Sequence, residues 1–222
     1  MTDQAPVSGD PSPGGDPSPG GDPSPGGDRP EVIRKLETPD AGSLAGLVAV
    51  FEDLQMVLRC CERLVAELGS AGGPPDEVVV EGVWTTALLS YARCFTARPE
   101  VALTEDDLTA AQPGPGVLEW HRILLGLRDH YCSPVENPRE RFTVGVSQDE
   151  QGAVSGLAVT SASQPLLDEV TVRQSGALAF ALSRHLNERI AGLQGRLYEE
   201  VKKLPQADVE QLAEVQVAGP ED

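Results

Sequence analysis

The chain has 222 residues, 40% of them hydrophobic and 23% charged, with 35 Asp and Glu against 17 Lys and Arg. That apolar share suffices for a packed core and excludes disorder throughout. A net charge of −18 argues against a protein built to grip nucleic-acid phosphates or an anionic membrane surface, since both reward clustered cations.

Residues 1–42 differ in character from the rest. The hexamer Asp-Pro-Ser-Pro-Gly-Gly runs three times from Asp10, and nine of the 19 prolines fall in this segment. Proline removes backbone donors, glycine raises the entropy of ordering, and little apolar surface is present to offset either. The segment is expected to be a disordered acidic tether. The opening stretch, MTDQAPVSGD, has neither a basic region nor an apolar run, so no secretory signal is expected. No membrane span is expected either, and the expected location is the cytoplasm. Deleting Asp10 to Gly27 should leave the melting temperature of the body unchanged. A marked drop in a thermal melt would show that the tail docks.

After Gly42 the apolar period becomes helical. Leu44, Leu47, Phe51, Leu54, Val57, Cys61, Leu64 and Leu68 fall at steps of three and four. Asp40 or Ser43 is the expected N-cap, and the Gly-rich run from Gly69 the stop. A second helix is predicted from about Val78 to Ala97, with Trp84, Leu88, Tyr91 and Phe95 on one face. Thr104-Glu-Asp-Asp107 reads as a capping box for a short helix, broken by Pro113 and Pro115. A third long helix is predicted from about Gly116 to Tyr131.

From Arg141 the period changes to two. Phe142, Val144 and Val146 alternate with Thr143, Gly145 and Ser147. Asp149 to Gly152 reads as a turn, and Val154, Leu157 and Val159 as the returning strand, ended by Pro165. This β-hairpin is expected to pack against a bundle end, because two strands alone are marginal. A final helix is predicted from Asp168 or Thr171 to Leu204, with an apolar seam of near-heptad spacing. Leu178 to Ile190 are expected to pack inside. Leu193, Leu197, Val201 and Leu204 either continue that internal packing or meet a second chain, and a homodimer through them is the expectation adopted, since mixed charges flank them.

The expected fold is therefore mainly α: an antiparallel bundle of about four long helices with a β-hairpin before the C-terminal helix. The expected organisation is a tail over 1–42, a helical domain over 43–205 and a flexible acidic tail over 206–222.

The motifs that carry chemistry are few. Adjacent Cys60 and Cys61 point to different helix faces, and no C-x-x-C pair exists. Buried thiols are the expected reading, with a metal set from Cys94, Cys132 and His121 or His130 as the alternative. The glycines after Gly69 follow a helix and lack a Lys-Ser/Thr, so they form no phosphate loop. No cofactor is expected. His121 is expected at the edge of the core. Arg128, Asp129 and His130 fall at a helix end, where cations can meet free carbonyls, and they are the weak catalytic candidates.

The run Ser90-Tyr-Ala-Arg-Cys-Phe95, followed by His121 and Leu127-Arg128-Asp129 at a helix end, resembles HEPN-type bacterial helical domains over about residues 44–204. The resemblance implies either an RNase built from the Arg and His of paired subunits or a non-catalytic helper domain. In the family a histidine follows the arginine after four to six intervening residues. With that arginine placed at Arg128, positions 133 to 135 hold Ser133, Pro134 and Val135. None can replace histidine as general acid or base. The expected function is thus a non-catalytic, HEPN-like protein acting through protein partners. The alternative is a divergent RNase or related hydrolase using Arg128 with His130 or His121.

Overall fold

A computed structural model describes residues 32–70, 73–96, 100–112, 114–135, 137–163 and 167–215. The repeat tail, Pro113, Pro165 and residues 216–222 lie outside the described residues. The element order is α1 (Pro39–Leu68), α2 (Glu77–Thr96), α3 (Glu105–Ala111), α4 (Val117–Tyr131), β1 (Glu140–Gln148), β2 (Val154–Ser163), α5 (Glu169–Val201) and α6 (Gln206–Glu210). The chain is mainly helical, with a two-stranded antiparallel hairpin before the long C-terminal helix.

The central element is α1. It packs against α2 on one side and α5 on the other. Leu54 and Leu64 are fully buried there, against Trp84 and Leu88 of α2 and Leu178, Leu182 and Leu186 of α5. Among the described residues α1 is long and apolar enough, by length and composition, to cross a membrane. That departs from the expectation of no such stretch. In this fold the apolar stripe of α1 is the middle of the bundle core. Gly46 sits where Val101 crosses α1, and a Cβ there would meet Val101 Cγ2 at 2.7 Å.

The helix starts show which local signal wins. Thr38, rather than Asp40 or Ser43, caps α1, and its hydroxyl accepts the Ala41 amide at 3.1 Å. Pro39 decides the matter: its fixed φ suits the first helical position, which moves the start upstream. Asp76 Oδ1 accepts the amides of Val78 and Val79 ahead of α2. Asp168 caps α5 through the Thr171 amide. The capping box of Thr104 and Asp107 forms as the sequence implies.

The chain ends of the described body depart from the expected boundaries. Residues 206–222 were expected to be flexible, yet α6 forms and residues 213–215 pair with 33–35. The Lys35 amide donates to Ala213 O and the Val215 amide to Ile33 O. The Arg34 guanidinium closes the clasp by donating to the carbonyls of Glu210 and Leu212, each at 2.8 Å. Leu36 packs on the core beside this clasp. The packed body therefore starts before residue 43 and continues past 205.

The seam of α5 is used within the chain further than expected. Leu193 and Leu197 are 5% and 6% exposed, inside the same core as Leu178. Val201 is half-buried, and Leu204 lies past the end of the helix, 42% exposed. The contact expected between Leu193, Leu197 and a second chain gives way to contact within the bundle, because α1 is long enough to run beside most of α5.

The hairpin departs from expectation most. Its turn forms as read, with Gly152 in the left-handed region at φ 82° and Asp149 Oδ1 accepting the amides of Gln151 and Ala153. The strands pair in register from Glu140 opposite Ser163 to Ser147 opposite Gly156, and a bulge follows before Gln148 meets Val154. Among the described residues no helix packs over either strand. At its base the exposed Arg139 guanidinium lies 3.4 Å from Glu81 of α2.

Candidate functional site

Of the weak catalytic candidates on α4, His121 turns into the core, while Arg128 and Asp129 pair at the helix end. His121 faces inward, 6% exposed, with its Nδ1 hydrogen-bonded to the Tyr91 hydroxyl at 2.9 Å. Its ring packs on Phe95 at 4.4 Å between centroids and on Tyr91 at 5.8 Å. Burial lowers its pKa below the ordinary histidine value; Glu105 opposes the shift and Arg122 adds to it. Burial likewise pushes the Tyr91 phenol up. A neutral imidazole in an aromatic nest ties α4 to α2, which is the core role expected of it.

Arg128 and Asp129 stand at the other end of α4. The Arg128 Nε donates to Asp129 Oδ1 at 2.9 Å, and Asp129 is exposed. His130 is half-buried with its ring edge-on to Tyr131 at 5.7 Å. An acid–base pair needs two groups converging on one reacting atom. Here His121 points into the core, seven residues before an arginine whose charge is already matched by its neighbour.

The cysteines are placed as buried thiols, except Cys132, which is exposed. Burial pushes Cys61 and Cys94 up to about 12, so neither is a thiolate at neutral pH. The Cys94 thiol donates to Ser90 O at 3.3 Å. The alternative metal set fails to assemble: among the described residues no group of three His, Cys, Asp or Glu side chains could hold a metal ion. A shallow groove of about 460 Å³ between α1 and α5 is lined by Leu58, Val65 and the buried Val172 beside Cys61, and also by Glu62 and Arg173. Its walls are mainly apolar, and its one thiol is protonated at neutral pH.

One polar cluster escaped the sequence reading. Asp107 Oδ2 accepts the Thr104 amide and hydroxyl at 2.8 and 2.9 Å. Its Oδ1 lies 3.1 Å from His185 Nε2 and 2.9 Å from Arg189 Nη1. Burial alone would raise this carboxyl. The Thr104 amide and hydroxyl, Arg189 and His185 outweigh it and hold the group below the usual carboxylate range. His185 and Arg189 are four apart on α5, so one helix face presents both to the α3 cap. The available signal was the capping-box aspartate together with that four-residue spacing. The carboxylate is spent on four donors, so the cluster clamps α3 to α5 and has no open position for substrate.

The remaining feature is the hairpin. Facing residues of an antiparallel pair share a side, so Phe142, Val144, Val146, Leu157 and Val159 form one face. They are 58%, 67%, 60%, 78% and 69% exposed. The other face carries Thr143, Gly145, Ala158 and Thr160. No family model, curated protein or solved structure matches this chain.

Proposed function

We propose that this chain is a non-catalytic, HEPN-like helical protein of the cytoplasm that acts through protein–protein contact, with the hairpin as its contact surface. The observation that carries the reading is the uncovered apolar face of Phe142, Val144, Val146, Leu157 and Val159. A ribbon of two strands is marginal in water, and an exposed apolar face of this size marks a surface that works covered. The pairing of Arg128 with Asp129 and the burial of His121 support a non-catalytic role over the RNase alternative.

The test is photocrosslinking in cells that express the full chain. A photoreactive phenylalanine analogue at Phe142 should give a discrete protein adduct, whereas the same analogue at Thr143, on the opposite face, should give far less. No protein adduct from Phe142, or equal adducts from both positions, would remove the hairpin as the contact surface.

A further inference from the structure

We infer that the occupant of the apolar ribbon face is the same face of a second copy of this chain, the two ribbons packing face to face and running in opposite directions. The inference rests on the ribbon being the contact surface and goes on to name what covers it.

The chemistry of the face narrows the occupant. Its five apolar side chains run from Phe142 toward the turn, and at the base the same face ends in Ser161 and Glu140, which hydrogen-bond to each other at 3.0 Å. Along most of its length the covering surface must therefore be apolar, twisted and of period two. An identical ribbon has all three properties, and a two-fold axis makes one patch serve both sides. The chain's own residues 1–31 cannot serve. Apart from glycine and proline, their apolar residues are Met1, Ala5 and Val7 alone, and repeated prolines remove strand donors. An anionic lipid surface is also a poor match. The strands carry a single cation, Arg141, while Asp149 and Glu150 stand at the tip.

The area suffices. Side chains of this type and exposure each present on the order of 100 Å² of apolar surface. Two such faces together cover about 1,000 Å², which is where specific interfaces begin. Charge sets the direction. Each copy carries a net −18, which opposes any arrangement that brings two bodies together. Strands of nine and ten residues span about 30 Å. Ribbons running in opposite directions hold the acidic bodies at opposite ends, several Debye lengths apart at about 8 Å each.

Sedimentation equilibrium of the full chain at tens of micromolar tests this. The wild type should sediment at twice the 23.5 kDa chain mass. Val144→Glu and Leu157→Glu should each weaken dimerisation by about a hundred-fold or more, because a carboxylate would lose its water at the contact. Thr143→Glu adds the same charge on the opposite face and should leave the dimer intact. Thermal melts accompany each variant. Because the ribbon lies outside the core, the bundle transition should keep its wild-type midpoint in both apolar-face variants, and the second serves if the first does not fold. A monomeric wild type, a dimer indifferent to both apolar-face changes, or a dimer lost equally with Thr143→Glu would overturn the inference. A monomer that still crosslinks from Phe142 to a different protein would overturn the second copy and leave the contact surface standing. Loss of the crosslink altogether would overturn both.

Discussion

Trp84→Ala should destabilise the protein by about 3–5 kcal/mol, the usual cost of truncating a large buried ring. Trp84 is 1% exposed on α2 and lies in the cluster that joins α2 to α1 and α5. The cost has two sources: the apolar surface that no longer leaves water on folding, and the cavity left among fully buried neighbours such as Leu54 and Leu88. Trp84 lies on the helix that packs along α1, so the site cannot close by moving one side chain. For a body of this size the melting temperature should fall by about 10 °C. A change of a degree or two in a circular-dichroism melt would show that the ring is not part of the core.

Asp107→Ala should cost about 2–3 kcal/mol at neutral pH, more than the ~1 kcal/mol of an ordinary cap. The side chain completes the α3 capping box and also receives His185 and Arg189 from α5. Its removal frays α3 and strands two donors at a half-buried junction. Arg189 is 35% exposed, so water screens part of that pair and keeps the total below that of a fully buried ion pair. The pH dependence has a definite sign. A carboxyl held below its ordinary value binds fewer protons folded than unfolded, so its stabilisation is complete above the unfolded pKa of about 3.9. It is lost as pH falls through the folded value. The stability gap between wild type and Asp107→Ala should therefore be full at pH 7 and shrink below about pH 4. A gap that stays constant down to pH 2 in urea titrations would show that the charge contributes nothing.

The local patterns of the chain determined most of its elements. Steps of three and four from Leu47 to Leu64 made α1, the Thr104–Asp107 pair opened α3, and alternation from Phe142 to Val146 with a turn at Gly152 made the ribbon. These features depend on neighbours within a few residues, where period, cap chemistry and glycine's freedom at positive φ act directly. Thr38 shows the margin of that reasoning. Asp40 and Ser43 were the expected caps, but Pro39, fitting the first helical position, set the start at Thr38.

The tertiary structure alone decided what each apolar or charged face meets. A leucine seam reads the same whether its own bundle or a second chain covers it. Packing beside α1 placed Leu193 and Leu197 in the core. Asp107 acquired His185 and Arg189 from 78 and 82 residues away, and Arg34 reached Leu212 across 178. The ribbon showed the reverse: the same alternation that predicts a half-buried strand produced one with both faces in water. Period reveals that a face is apolar. Coverage is settled by the arrangement of distant elements, which no local spacing encodes.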